Sequence, residues 1–352
     1  MTGLPEHEPH NMWSSPDRPA SSDAETEQAE TDEVPAGSGF PQPYGPETGE
    51  NDGHPPTPVL PHATNAPLTD LPPQFNEYVP VREPERIPNF GHLGILVILL
   101  LFGLICTGLL TQVALAHHLW GVSSRHAAIG DIHYTLGTEA LLYLFTLAGC
   151  LLVFPMVWHK SFFAGIQWNG DIALRLRWRL VKAAMACLAL ALLSTLVVPE
   201  PKNTPIDKIF HAPGAAWLLF GFGVTFAPFF EETFFRGFLL PAICTACDWF
   251  AERTMDQPRR PLGARGHPQW STGAMIAGSV ATSIPFALLH AQQTGWAIGP
   301  FVLLVGVSLV LCAVRLSTRS LASSVLVHAV YNFTLFSIMM VGTHGFRHLG
   351  KF

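Results

Sequence analysis

The segment "FAPFFEETFFRGFLLP", residues 226–241, decides the fold class because its apolar and aromatic residues suit the interior of a lipid bilayer. Three charged residues nevertheless lie inside this segment, within six consecutive positions: Glu231, Glu232 and Arg236. Each charge near the bilayer centre costs roughly 2.5–3.5 kcal/mol on insertion-based scales. The segment therefore predicts a membrane span whose charges are retained for a structural or chemical reason.

The composition agrees with a membrane protein and divides the chain into two unlike parts. Of its 352 residues, 49% are hydrophobic and 13% are charged, which is too apolar for a typical soluble domain. Residues 1–90 hold 16 of the 26 acidic residues, 3 of the 20 basic residues and 18 of the 30 prolines. Residues 91–352 hold 10 acidic and 17 basic residues, so the membrane part has the opposite sign of charge from the first 90 residues.

Residues 1–90 are predicted to be a disordered, acidic, proline-rich tail. A polar segment of this kind buries too little apolar surface to offset the entropy lost on ordering. The first residues lack a basic region followed by an apolar one, so no signal peptide is expected. We divide the rest into N-terminal membrane helices with a basic cytoplasmic loop, residues 91–179, and a second membrane region, residues 180–352, which forms the core of the protein.

The apolar runs predict an all-α, multi-spanning transmembrane helical bundle, because about 20 apolar residues are needed to cross the bilayer core. About seven spans are expected, and an eighth helix, spanning or re-entrant, stays open. The predicted spans are residues 93–116, 140–158, 180–198, 215–243, 274–294, 297–314 and 321–342.

The distribution of basic residues orients these spans. With the N-terminus in the cytoplasm, the outer loops hold only Arg125, Lys202 and Lys208. The inner loops then hold Lys160, Arg175, Arg177, Arg179, Lys182, Arg253, Arg259, Arg260, Arg265, Arg315 and Arg319. We therefore expect a multi-pass protein of the cell membrane with a cytoplasmic N-terminus.

The three charges of the opening segment have different explanations. Glu232 and Arg236 are four residues apart on one helical face, where they can form an ion pair. Glu231 points about 100° away around the helix, and its own i+4 position is Phe235. Glu231 therefore needs a partner from another helix.

Three further polar residues lie at a similar depth in other spans. His290 ends "FALLH", and "HAVYN" places His328 and Asn332 four residues apart on one face. At about 1.5 Å of rise per residue, they and Glu231 all fall within roughly 10 Å of the bilayer midplane. Each histidine alone suits an ordinary interhelical hydrogen bond, but the whole set favours a cavity in which a carboxylate, two imidazoles and an amide activate water.

The motifs "EETFFRG", "FALLH" and "HAVYN", in this order on successive helices, resemble the EExxxR, FxxxH and HxxxN motifs of the type II CAAX prenyl protease family, also called CPBP intramembrane proteases. The resemblance covers roughly residues 180–342. It implies an intramembrane endopeptidase in which Glu231 is the general base on a water positioned with His290. It also implies that His328 and Asn332 form the oxyanion site and that Glu232 and Arg236 form a structural ion pair.

The resemblance leaves the cofactor open. No cofactor is certain, and zinc is the one candidate, with Glu231, His290 and His328 as its ligands if it is used. The sequence has neither the HExxH helix of the zincin proteases nor a GxSxG nucleophile elbow.

The expected partners are the lipid bilayer and a membrane-associated peptide or protein, of which prenylated CAAX-type substrates are the example that the resemblance implies. No nucleic-acid partner is expected, and the oligomeric state stays open. Two other functions compete with the protease: a non-catalytic membrane scaffold or immunity-type protein on the same fold, and a proton-coupled transporter that uses Glu231 as its carrier.

Overall fold

The computed structural model describes residues 86–197, 214–263 and 267–346, without the side chains at positions 120 and 130. Within these ranges the chain is helical, and the only β-type pairing is an isolated bridge between Leu262 and Pro268. The tail predicted over residues 1–90 lies outside the described residues except for its last five.

Among the described residues, seven helices are long and apolar enough to cross a membrane, which confirms the predicted fold class. Their bounds are α1 Phe90–Ala116, α2 Ile132–Trp158, α3 Arg177–Val197, α4 Ala215–Thr254, α5 Thr272–Ala291, α6 Ile298–Thr318 and α7 Leu321–Gly342. Short helices at Arg125–Gly130, Phe162–Gly165 and Gly170–Arg175 lie between the first three spans.

The predicted bounds of α2, α4 and α6 are too short, and α4 continues to Thr254 rather than to residue 243. The structure starts α2 at Ile132 rather than at residue 140, because the Asp131 side chain accepts hydrogen bonds from the backbone N–H groups of His133 and Tyr134 and so caps the helix. It continues α6 to Thr318 rather than to residue 314. These longer bounds place Glu139 inside α2 and Arg315 inside α6.

Arg315 was predicted to be a loop charge, and that prediction is wrong. Its side chain is buried, with 1% of its surface exposed. Its Nε donates to the Arg236 carbonyl at 3.2 Å, and one terminal nitrogen donates to the Ile166 carbonyl at 3.3 Å. The guanidinium therefore ties the end of α6 to α4 and to the segment after α2, and it does not contribute to the basic loop surface.

α4 contributes residues to two of the three larger buried clusters. One cluster joins α3, α6 and α7, and a second joins α1 and α2 to Phe238 of α4 and Leu321 of α7. A third joins α4 to α5 and α6 through Leu240, Ala274 and Cys312. α4 and α5 approach so closely that a Cβ at Gly278 would overlap the Sγ atom of Cys244, so only glycine fits there.

α4 is irregular on both sides of its two glutamates. The helix breaks after Val224 and restarts at Phe226. Pro228 has no N–H group, so it cannot donate the helical hydrogen bond to the Val224 carbonyl. From Thr233 to Leu239 the helix is π-helical, a form that is typical of functional sites. Glu231 and Glu232 are therefore the last residues of a short α-helical segment, Phe226–Glu232, between these two irregularities.

Candidate active site

Glu231 faces the two histidines that the sequence predicts as its neighbours. Its Oε1 atom lies 3.7 Å from Nε2 of His290 on α5, and its Oε2 atom lies 3.8 Å from Nε2 of His328 on α7. The Oε2 atom is buried and makes no hydrogen bond to the described residues. Glu231 lacks a partner on its own helix, and each of its carboxylate oxygens faces a different imidazole.

The orientation of His290 is fixed by its own helix. Its Nδ1 atom lies 3.0 Å from the Phe286 carbonyl oxygen, which can only accept, so Nδ1 carries the hydrogen. The neutral ring then presents the lone pair of Nε2 toward Glu231. This contact spans positions 286 and 290 and gives a physical reason for the FxxxH spacing.

The predicted ion pair between Glu232 and Arg236 is present and fully buried. The Arg236 Nη1 atom donates to Glu232 Oε1 at 2.8 Å, and both side chains have 0% of their surface exposed. The other terminal nitrogen of Arg236 donates to the hydroxyl and to the carbonyl of Ser308, at 2.6 and 3.1 Å. The Phe286 ring lies beneath the guanidinium, with 4.5 Å from its carbon to the ring centre.

Glu232 also holds His328, a contact that the sequence did not predict. Nδ1 of His328 lies 3.0 Å from the same Oε1 atom of Glu232 that accepts from Arg236. Because the ionised carboxylate can only accept, Nδ1 is the donor, and Nε2 is left to face Glu231. The ion pair therefore positions an imidazole of the site as well as supporting the architecture.

Asn332 is the one predicted site residue whose observed hydrogen bond points elsewhere. Its Nδ2 atom donates to the Gly223 carbonyl at 2.8 Å, just before the break in α4. That bond uses one of the two amide hydrogens and satisfies a carbonyl at the break. Asn332 thus joins α7 to the first part of α4, and its predicted oxyanion role depends on its second N–H group.

A cavity of about 370 Å³ lies beside Glu231 and His290 and extends between α1, α2, α4 and α5. Its walls are mostly apolar, with Leu96, Leu100, Leu142, Leu147, Phe162, Phe230, Phe234, Phe235 and Leu289 among them. Glu139 and Tyr143 of α2 also line it, and the Tyr143 hydroxyl donates to Glu139 Oε1 at 2.7 Å. A second carboxylate therefore reaches the same cavity as Glu231.

Sequence reasoning missed Glu139 and Ser308 for different reasons. Glu139 lay one residue outside the predicted span, and recognising Asp131 as a helix cap would have placed it two turns inside α2. Ser308 is one of many serines in apolar helices, and no spacing rule links it to Arg236, 72 positions away. Only the three-dimensional packing of α4 against α6 reveals its role.

The zinc hypothesis depends on how the donor atoms are arranged. Over residues 86–197, 214–263 and 267–346, no group of three or more His, Cys, Asp or Glu side chains is arranged to hold a metal ion. Nδ1 of each histidine is directed by a fixed neighbour, so only the two Nε2 atoms face Glu231. Zinc stays a prediction, and the chemistry below is derived from the protein's own groups.

The gaps on either side of Glu231 are longer than a hydrogen bond, and a water seated beside either gap could contact both of its polar atoms. Beside the gap to His290, a water would donate one hydrogen to the carboxylate and the other to the Nε2 lone pair. The lone pairs of the water oxygen would then be free to attack a carbonyl carbon. The arrangement therefore has the parts of a general-base site in an apolar enclosure.

Comparison with known proteins adds one match. Residues 213–334 match the family model described as type II CAAX prenyl endopeptidase Rce1-like, a region that runs through α4, α5, α6 and the first part of α7. It contains all three motifs and covers about a third of the chain. It leaves out residues 180–212 and 335–342 of the region in which the resemblance was seen. No curated protein matches the chain significantly. No solved structure does so either. The resemblance carried by the three motifs is thus confirmed: residues 213–334 match the model of the Rce1-like type II CAAX prenyl endopeptidase family.

Proposed function

We propose that the protein is an intramembrane endopeptidase that hydrolyses peptide bonds of membrane-associated substrates with a water activated by Glu231 and His290. The family match and the seven apolar helices indicate a multi-pass membrane protease in general terms. One observation carries the finer proposal: each carboxylate oxygen of the buried Glu231 faces the Nε2 atom of a different histidine, beside an apolar cavity.

In the proposed first step, the water oxygen attacks the carbonyl carbon of the scissile peptide bond. The new C–O bond forms as a water proton passes to Glu231, and the electron pair of the C=O bond moves to oxygen. His290 holds the second hydrogen of the water through Nε2, which fixes the direction of attack. The product of the step is a tetrahedral oxyanion and a protonated Glu231.

His328 is the proposed donor to that oxyanion. Its Nδ1 hydrogen is bonded to Glu232, so Nε2 can donate only when the ring carries a second proton. The second N–H group of Asn332, one helical turn away, is the second proposed donor.

In the second step the oxyanion reforms the C=O bond and the C–N bond breaks. The leaving nitrogen takes the proton from Glu231, which restores the carboxylate and releases an amine and a carboxylic acid. The two steps consume one water and break one C–N bond. They require no oxidant, no reductant and no covalent enzyme intermediate.

The placement in the cell membrane with a cytoplasmic N-terminus rests on the loop charges and forms part of the proposal. The substrate is proposed only as a membrane-associated peptide or protein. Prenylated CAAX-type proteins are the example that the family name supports.

Terminal-peptide proteomics tests the proposal in cells. Cells that express the wild type, Glu231→Gln or His290→Ala at matched levels are compared for newly formed protein termini. We expect a set of termini present only with the wild type. Identical sets in all three would contradict a protease and leave the scaffold and the transporter as explanations.

A further inference from the structure

Glu139 reaches the apolar cavity from α2, a helix outside the residues that match the family model, and no step of the proposed reaction uses it. We propose that Glu139, held by Tyr143, selects substrates that carry a lysine or arginine side chain close to the scissile bond. This inference rests on the proposed function, because it assigns the substrate class of the same site.

The position of Glu139 is fixed through aromatic contacts with the residue before Glu231. Tyr143, one turn after Glu139, donates its hydroxyl to the carboxylate at 2.7 Å. The Tyr143 ring stacks on the Phe230 ring, with 4.4 Å between the centres and 17° between the planes. Glu139 is thereby held in a fixed position relative to Glu231. A side chain that selects substrates at a defined distance from the scissile bond needs such a fixed position.

The carboxylate of Glu139 has no cationic partner in the described part of the chain. No Lys or Arg lines the cavity, and no described Lys, Arg or His lies within ion-pair distance of Glu139. Tyr143 satisfies one of its two oxygens, and the other is available to a ligand. This differs from Glu232, whose charge is compensated by Arg236.

An acidic group in apolar walls selects a particular ligand chemistry. The aliphatic stem of a lysine or arginine matches walls made of Leu and Phe, and its cationic head pairs with the carboxylate. An acidic side chain at the same place would meet two negative groups, Glu139 and Glu231, in a low-dielectric cavity. The cavity therefore favours basic residues and disfavours acidic ones.

The test uses the full chain in phosphatidylcholine liposomes with a proteome-derived peptide library, and cleavage sites are read by sequencing new termini. Four variants are compared with the wild type: Glu139→Gln, Glu139→Lys, Tyr143→Phe and Thr138→Val. Thr138 is the matched control, since it precedes Glu139 on α2, bonds only to helix carbonyls and does not line the cavity.

We expect wild-type cleavage sites to be enriched in Lys or Arg at one position next to the scissile bond. For a matched peptide pair that differs only there, Lys over Gln should raise kcat/KM about tenfold, mainly through KM. Glu139→Gln should abolish this preference, Glu139→Lys should shift it to Asp and Glu, and Tyr143→Phe should weaken it. Thr138→Val should keep the wild-type profile.

An unchanged cleavage profile in Glu139→Gln and Tyr143→Phe would overturn the inference, even if both variants were less stable. The proposed protease function would still stand in that case, provided that Glu231→Gln abolished cleavage. A wild type whose cleavage sites show no enrichment in Lys or Arg would overturn the inference about basic residues alone. No cleavage of the library, together with identical protein termini in cells with the wild type and Glu231→Gln, would overturn the inference and the protease function together.

Discussion

The imidazole of His328 and the guanidinium of Arg236 share one carboxylate oxygen of Glu232, at 3.0 and 2.8 Å. The oxygen lies in the fully buried part of the bundle, where an unpaired charge is expensive. Glu232 therefore has two tasks, to compensate Arg236 and to orient His328 with its Nε2 toward Glu231. These two tasks can be separated by mutation.

Removal of Arg236 alone should destabilise the protein. Arg236→Met leaves Glu232 buried without its ion-pair partner, which we expect to cost about 3–5 kcal/mol of unfolding free energy. The double variant Glu232→Leu with Arg236→Met should recover much of that loss, because no buried charge is left unpaired. Unfolding in detergent measures both effects.

The double variant Glu232→Leu with Arg236→Met should not cleave substrate, although we expect it to be stable. His328 loses the acceptor of its Nδ1 hydrogen, so its ring is no longer oriented toward Glu231. Cleavage by the double variant at the wild-type rate would show that the ion pair serves architecture alone.

His290→Ala should lower kcat by about 10²–10⁴, the range for loss of a positioned acid–base group, with little change in stability. His290 is only partly buried, and its single hydrogen bond is to its own helix. His126→Ala is the control, since His126 is an exposed histidine on a short helix outside the spans. Turnover by His290→Ala close to that of His126→Ala would remove His290 from the mechanism.

Metal removal should leave the activity intact, because Glu231 and His290 can activate water without a metal. The purified protein is stripped with a chelator, its zinc content is measured, and cleavage is followed before and after addition of zinc. Loss of activity in the stripped protein with recovery on zinc addition would contradict the metal-free mechanism and restore Glu231, His290 and His328 as zinc ligands.

The stability should fall in acid through His267, which lies in the loop between α4 and α5. Burial, and then the positive charge of Lys160, lower the pKa of His267 from 6.5 to about 4. Between these values the unfolded chain binds a proton that the folded chain does not. The contribution is therefore present above pH 6.5 and is lost as the pH falls toward 4.

Thermal unfolding at pH 7.5 and pH 4.5 measures this loss against the variant His267→Gln. With a discount for partial exposure, the contribution is about 1 kcal/mol, or about 2–4 °C in Tm for a domain of this size. The wild type should lose that much more Tm than His267→Gln on acidification. Equal losses would show that His267 does not titrate as the structure indicates.

The spans and motifs were largely predictable from the sequence because hydropathy and helical spacing are local properties. The bounds of α7 agree with the prediction at both ends, and the i,i+4 spacing correctly paired Glu232 with Arg236. The missed part of α2 was also local, since it depended on the Asp131 cap. The break before Phe226 was missed although Pro228 is a local signal for it. No local pattern anticipated the π-helical segment after Glu232.

The contacts between helices were less predictable. The sequence indicated that Glu231 requires partners from other spans and named His290 and His328. It gave no means of knowing that Glu232 orients His328, that Ser308 holds Arg236 or that Asn332 reaches the Gly223 carbonyl. These pairs lie 72 to 109 positions apart, and only the packing of the bundle brings them together.

The central claim is that Glu231 activates the water that cleaves the peptide bond. The most direct measurement is the cleavage rate of a substrate identified by terminal-peptide proteomics, with the purified full chain in liposomes as wild type and as Glu231→Gln. The two side chains have nearly the same shape, so the fold and the Tm should be preserved while the proton acceptor is lost. The account predicts a rate at least about 10²-fold lower for Glu231→Gln at unchanged Tm. A Glu231→Gln protein that cleaves the substrate at the wild-type rate would contradict it.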